Sequence, residues 1–534
     1  MQIKPRPPTA TFTTVPAPIG GINAFSSLAS MPETDAIALN NWIPQPYGCV
    51  VRKGYQEYAT GLVDPVNTLA QWPNINGAMK YFAFAGASIY DVTTPGPVGT
   101  PVLSSLNTSW WQTLNFANSA GAHLLAFSGA DKPIWYSSAG AVRLNFGGLV
   151  PPAPPFPVGD VYGVDPITWI QGTVHQRRIW AVQVDSTLGW FLAADSVYGE
   201  AKFFDFGPFF KRGGYLTILA TWTADTGEGS NDKLVAVSSR GEAVVFSGTD
   251  VEDADSWKCD GVFYIGAPVR GRRFFANVGG DLFILTAVGV VSMGTMVTST
   301  QVNANANDTY SKKIQFLLSE LTTDLADFDG WEIRFIPTLN FLLINVPSAY
   351  AGGAGQLVAN HINGSWTAFE GFNAQTWASG DRWVAFGDRT GKVQLAFTGD
   401  KDGILLDGTG GTDIRTRVQQ AYSYLGSHAV QKQVGMYRMN FLAMKRPGHN
   451  SEITYDFNTN QLLPATGSSD TTVGALWNTA IWGIDKWTGG PHSILEWRQA
   501  QGIGVAASLA MTTVTDGETA WVSTDYTLQK GGPL

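Results

Sequence analysis

Six histidines, His123, His175, His361, His428, His449 and His492, are the first place to look for metal or acid–base chemistry. They stand far apart, without an HExxH pair or a short HxH spacing, so zinc hydrolase chemistry has no support. Each reads as an ordinary strand or loop residue. The two cysteines, Cys49 and Cys259, make neither a disulfide framework nor a four-ligand zinc site and read as free thiols. Carboxylates are better grouped: Asp400, Asp402 and Asp407 sit among glycines, and Asp250, Glu252, Asp253 and Asp255 crowd a second turn. Either group could offer oxygens to calcium, yet neither completes an EF-hand loop, and turns closed by side-chain to backbone bonds explain both more simply. The run GDRTGK from Gly387 has the wrong spacing for a phosphate loop and falls in a hairpin turn. Arg270, Arg272 and Arg273 could meet nucleic-acid phosphates, although three charges in VRGRRFF more often make subunit salt bridges or a solvated loop. The sequence TDGETAW from Thr515 is an incomplete Asp-box turn, and the facing carboxylates that a glycosidase needs are not visible in linear order. No catalytic set, cofactor cradle or metal set emerges, so the chain is not read as an enzyme.

The elements that would position any site are short strands. Between residues 65 and 398 an apolar strand, a turn with Gly, Asp or Ser and a second apolar strand recur seven times, beginning at Met79, His123, Arg177, Asp232, Gly280, Asn340 and Asp381. Successive starts are 41 to 60 residues apart, close to the roughly 40–50 residues of a four-stranded propeller blade. One such sheet cannot bury both faces alone, whereas radial stacking covers them and leaves only short edges. A series of β-sandwiches is the competing architecture. The sequence predicts a mainly β protein: an N-terminal arm and platform over residues 1–60, a β-propeller-like array of antiparallel blades over 61–400, and a further β domain over 401–534. One helix is expected near 309–328, where Ile314, Leu317, Leu318, Leu321, Leu325 and Phe328 recur at helical spacing. The first 20 residues, rich in proline, read as an extended arm that orders against something else.

Composition agrees with turns and strands. The 60 glycines supply turn positions, and the 12% of aromatic residues suit half-buried pleated surfaces. Only 14% of residues are charged, against about 25% in an average soluble protein. A net charge of −9 argues against a generally basic, phosphate-binding surface. No run reaches 18 apolar residues, and the prolines at 5, 7, 8, 16 and 18 interrupt any signal peptide, so neither membrane insertion nor export is expected.

Three blocks, in order, carry a resemblance. The first is GGINAFSSLASMPETDAIALNNWIPQPYGCVVRKGY over 20–55, with the frame Gly20, Gly21, Asn23, then Met31, Pro32, Asp35, Ala36, Leu39, Asn41, Trp42, Pro44, then Arg52, Gly54 and Tyr55. Its segment DAIALNNW reads as a short helical turn entered at Met31 and Pro32, with Trp42 as a buried anchor. The second block, over 241–293, contains Gly248 and Asp250 in a turn, then Trp257, Gly266 and Pro268, and Gly279, Gly280 and Asp281. The third is ANHINGSWTAFEG from Ala359 with FGDRTGKV from Phe386. Together they resemble the nozzle proteins of short-tailed bacteriophages, also called tail tubular protein B or tail stabilisation proteins. The turn Gln45, Pro46, Tyr47, Gly48 departs from a more usual Gly-rich one, and the last 130 or so residues carry no motif of the family.

The resemblance implies a virion structural protein, made in the host bacterial cytoplasm, that forms a homohexameric ring at the distal end of the tail. It would dock on the adaptor ring below the portal, support fibres or spikes, and retain and then conduct double-stranded DNA without sequence-specific binding. It implies no cofactor and no catalytic residue. A charge-poor, acidic wall suits passage of DNA, because few Lys or Arg contacts would hold the phosphates. The alternative reading is a propeller that binds or hydrolyses glycans.

Overall fold

The computed structural model describes residues 11–74, 76–223, 232–253, 255–298, 309–347, 355–380, 383–459, 462, 464–465 and 491–533. Residues 1–10 of the expected arm, Asp381 at the start of the last hairpin and 466–490 of the C-terminal region lie outside them. Among the described residues, six of the seven apolar hairpins form the middle of a sheet, and the fifth supplies the middle and one edge strand of a three-stranded one. The fourth shows why. In Leu216–Thr223, Asp232–Ser238, Glu242–Ser247 and Lys258–Tyr264, the run Leu234, Val235, Ala236, Val237 is fully buried. Both faces of the sheet are covered, so the strand reads as a continuous apolar run instead of an alternation. Gly241, at φ 83°, turns the chain between the middle strands where the backbone of Gly266 comes close.

The sheets are blades of a propeller. The first holds Val66–Pro73, Met79–Ala85, Ser88–Asp91 and Leu103–Ser104; the second Gln112–Asn118, Gly121–Phe127, Ile134–Ser137 and Gly140–Arg143. The third is built on Trp169–His175, Arg178–Gln183, Leu188–Leu192 and Gly199–Asp205, and the fifth has three strands, Phe275–Val278, Asp281–Thr286 and Gly289–Ser292. The sixth comprises Glu332–Ile336, Phe341–Asn345, Gln356–Asn360 and Ser365–Phe369. The seventh takes Ala374–Ser379, Val384–Asp388 and Val393–Ala396 from late in the chain and Tyr55–Thr60 from its beginning. Each blade packs on the next and the seventh packs on the first, which closes the ring.

Apolar clusters sit between blades. Leu69, Ala83, Trp383 and Ala385 join the seventh to the first, Trp72, Phe84, Trp111 and Leu124 the first to the second, and Trp180, Phe191, Leu219 and Phe246 the third to the fourth. The helix is shorter than the periodicity predicts: a 3-10 turn, Lys312–Ile314, leads into Gln315–Asp324. Ile314, Leu318, Leu321 and Leu325 are buried, whereas Phe328 is exposed beyond its end.

Both ends of the chain build a second body beside the ring. A seven-stranded sheet joins Thr11–Pro16, Trp42–Gln45, Gly48–Val51, Val430–Ala443, His492–Leu495, Arg498–Gln499 and Thr519–Pro533. It packs face to face on Gly410–Gln420, Gly448–Tyr455 and Ala507–Thr515 through Trp42, Trp521, Tyr437, Tyr526, Val418 and Met511. Within the expected arm, Thr11–Pro16 pairs antiparallel with residues 523–528 of the same chain. The segment 1–60 contributes to this body and, through Tyr55–Thr60, to the propeller.

The stretch DAIALN is a strand, Asp35–Asn40, and not a helical turn. It pairs in parallel with Gly21–Ile22 and antiparallel with Gly410–Gln420, and its register against the latter shifts between Ala36 and Ala38. That bulge turns both Ala36 and Leu39 inward, so a strand acquires the three-residue spacing of a helix.

Candidate functional site

The first motif is a clamp between the two bodies. Arg52 lies at its centre with a fully buried side chain, and its guanidinium forks onto Asp402, Nη1 to Oδ1 and Nη2 to Oδ2 at 2.7 Å each. It also donates through Nε to Asn41 Oδ1 (2.9 Å) and through Nη2 to the Glu370 carbonyl, and lies 4.2 Å from the ring centre of Phe372. Asn41 is held in the left-handed region at φ 61° by donating to the Arg415 carbonyl and accepting from the Glu370 amide. One guanidinium thus ties the strand Trp42–Gln45, the last two blades and the C-terminal sheets. Planar bidentate recognition of this kind is specific to arginine.

Around it, Asn23 Nδ2 and Lys313 Nζ donate to buried Asp35 at 2.8 and 2.9 Å, and Lys313 also donates to the Gly20 carbonyl. Gly21 and Gly54 allow close backbone approach: a Cβ on Gly54 would lie 1.8 Å from the Lys401 carbonyl oxygen, and one on Gly21 2.5 Å from that of Trp366. Trp42 is fully buried against Trp521, Leu39 and Met31 are buried, and Tyr55 packs on Phe372 and Phe386. The Pro44 carbonyl accepts from Asn360, while Pro32 is exposed in the turn before Asp35. The structure therefore brings the motif together inside one chain, where Asp35, Leu39, Asn41, Trp42 and Arg52 are buried. Asp402 and Asp400, considered above as calcium ligands, pair with Arg52 and Lys53, and Asp407 caps its own turn at Thr409.

The second motif supplies joints between blades. Trp257 stacks between Phe246 and Trp180 with ring centres 5.5 and 6.2 Å away, and Gly248 and Asp250 open the turn before it. Asp250 pairs with Arg178 of the third blade at 3.4 Å. Gly266 lies against Gly241, Pro268 bridges to Thr286, and Gly279 forms the turn of the fifth blade. The Gly280 carbonyl accepts from Trp222 of the fourth blade, and Asp281 accepts from Ser292 and from the Gly294 amide at 2.8 Å. The GDRTGK run is a hairpin turn in which Asp388 accepts from the amides of Thr390 and Lys392.

The arginine cluster lies on the propeller axis. Arg273 reaches across it, donating to Glu332 (3.1 Å) and Thr376 (2.6 Å) on the inner strands of the last two blades and to the Asn67 carbonyl (2.8 Å) on that of the first. Trp110 lies beneath its guanidinium, 5.1 Å away. Glu332 is buried and also accepts from Arg334 and the Trp377 amide. Burial raises its pKa, but Arg334 and Arg273 outweigh burial and hold it below the ordinary carboxylate range. The three arginines are visible in the sequence, but the side-chain and carbonyl partners of Arg270 and Arg273 are not, being 59 to 206 residues distant.

Among the described residues one face of the seven-stranded sheet remains open. It carries Phe12, 73% exposed, at the edge of Trp497, together with exposed Met436, Leu442, Leu495 and Val522 around the Arg438–Asp525 ion pair at 2.7 Å.

Among the described residues no three His, Cys, Asp or Glu side chains gather as a metal site, and no helix is long and apolar enough to cross a membrane. No protein-family model matches the chain, and no curated protein matches it. Among solved structures it is similar to YCF48 from Cyanidioschyzon merolae, 11% identical over 64% of this chain and 98% of that one, with a TM-score of 0.36. It is also similar to the β-propeller domain of Cps50 (Swd1) from Myceliophteria thermophila, 12% identical over 64% and 99% of the two chains, TM-score 0.33. A third is a glycoside hydrolase family 43 arabinoxylan arabinofuranohydrolase from Bacillus subtilis, 11% identical over 89% and 96%, TM-score 0.23.

Proposed function

We propose that this chain is a structural subunit of a short bacteriophage tail, six copies of which form the distal nozzle ring that retains packaged DNA and conducts it on ejection. The observation that carries the reading is the open, apolar face of the sheet built from both chain ends. A solvated sheet face ordinarily alternates apolar inside with polar outside, whereas Phe12, Met436, Leu442, Leu495, Trp497 and Val522 reach solvent here. Aromatic and methionine side chains around an ion pair make the kind of patch that a neighbouring subunit covers. A closed ring repeats one such heterologous contact by rotation.

The clamp supports the reading from inside the subunit. It fixes the propeller against the sheet body that bears this face, so that contacts made by one are transmitted to the other as by a rigid block. DNA would pass along the axis of the ring of subunits and not through a propeller, whose channel Arg273 crosses. The adaptor ring, fibres or spikes and the duplex are the partners of this reading. Its test is the mass and symmetry of the purified full-length chain, alone and mixed with the adaptor ring, by mass photometry and negative-stain imaging. Six-fold rings that form or become stable on the adaptor are expected; a monomer indifferent to the adaptor overturns the assignment.

A further inference from the structure

The mouth of the propeller axis opens into a cavity of about 490 Å³ walled by Trp110, Tyr215, Arg270, Arg272, Arg273 and Asp329. A second space of about 260 Å³ continues from it along the inner strands, sharing Arg272 and Arg273 and adding Arg334 and Glu332. Four guanidiniums therefore face two carboxylates, in a chain whose net charge is −9. Asp329 is matched to Arg270 at 3.1 Å, and Glu332 is shared by Arg273 and Arg334 at 3.1 and 2.7 Å. Arg272 is left over. It is half-buried, Nη1 donates to the adjacent Gly271 carbonyl at 3.2 Å, and among the described residues no carboxylate reaches ion-pair distance of it. Burial disfavours its charge, Asp185 and Asp329 offset that only in part from beyond ion-pair distance, and an anion that enters the cavity would lower the remaining cost.

We propose that this axial mouth binds a small, free anion of the phosphate class, with the fork of Arg272 as its principal contact and Arg273 and Arg270 as walls. The size is that of a small-molecule pocket and excludes a duplex. Arg272 has no ion-pair partner and Arg273 and Arg334 share one carboxylate, so the guanidiniums outnumber the carboxylates of the lining and suit an oxyanion such as a phosphate group, which carries about two negative charges near neutral pH. Guanidinium donors match phosphate oxygens two at a time. The site is independent of the tail assignment, since it lies within one propeller.

Isothermal titration of the full-length chain at low salt, with inorganic pyrophosphate as the probe, tests it. One saturable site per chain is expected, at least tenfold weaker in Arg272→Ala, intermediate in Arg272→Lys, which keeps the charge and loses the fork, and unchanged in Arg177→Ala on the rim of the third blade. Citrate, a carboxylate of similar charge, is expected to bind at least tenfold more weakly than pyrophosphate. Absence of saturable heat, equal affinity in Arg272→Ala and Arg177→Ala, equal affinity for citrate, or binding confined to a 5′-phosphorylated oligonucleotide would each overturn the proposal. Should Arg272→Ala fail to fold, Arg272→Lys carries the comparison.

Discussion

Arg52 shows how much one side chain carries in this molecule. Replacing it with alanine leaves Asp402, only 12% exposed, without its partner and opens a hole beside Phe372. Loss of one member of a buried pair costs about 3–5 kcal/mol. We expect that loss for Arg52→Ala in urea denaturation, and a smaller one for Arg52→Lys. A shift under 1 kcal/mol in Arg52→Ala would remove the clamp from the account. His175 makes a second residue-scale prediction. Its ring is buried against Trp257 with neither nitrogen hydrogen-bonded, and burial lowers its pKa to about 4. His449 is likewise lowered to about 4, by burial and then by Arg498 and Arg446. Unfolded histidine takes up its proton near pH 6.5, so between the two values the unfolded chain binds more protons. The stabilisation from neutral His175 is complete above pH 6.5 and is lost as pH falls towards 4, by up to about 3 kcal/mol. Melting temperatures across that window should fall less steeply in His175→Phe. At this scale Trp42 was legible as a buried anchor. The partner of Arg52 was not, because Asp402 is 350 residues away and looked like a calcium ligand in a Gly-rich turn.

At the scale of elements the hairpins were plain, because middle strands such as Asp232–Ser238 and Asp281–Thr286 are covered on both faces and carry continuous apolar runs. What hid the N-terminal strand Asp35–Asn40 was a bulge, which places Ala36 and Leu39 on one side and imitates helical periodicity. What hid the role of Tyr55–Thr60 was topology: nothing local tells a strand that its partner is Val393–Ala396. The turns and joints can be probed through glycine. At Gly279, φ is 60° and nothing lies within 4 Å of an added Cβ, so Gly279→Ala should cost only about 1 kcal/mol of left-handed strain. At Gly54 the added methyl would meet the Lys401 carbonyl, part of the seam between clamp and sheet, and backbone must move. Gly54→Ala should therefore destabilise by several times as much in chemical denaturation. Equal effects would mean that the seam is slack.

For the whole molecule, Tyr55–Thr60 closes the propeller on Val393–Ala396, and the two chain ends form the second body, one face of which is uncovered among the described residues. Neither Phe12 nor Trp497 stood out in the sequence, since their meeting at the sheet edge depends on pairing between the first and last strands. The first motif packs largely within the chain, and the open face is where the proposed contact between copies is expected to fall. Its disruption should leave the fold intact, because Leu442 and Trp497 project to solvent. The decisive measurement is the mass distribution of the full-length chain on its adaptor ring, for wild type and for the double variant Leu442→Asp, Trp497→Asp. The account predicts an added mass of six times 57.4 kDa for the wild type and none for a variant that still melts as a folded protein. Monomers for both chains, or undiminished rings for the variant, would contradict it.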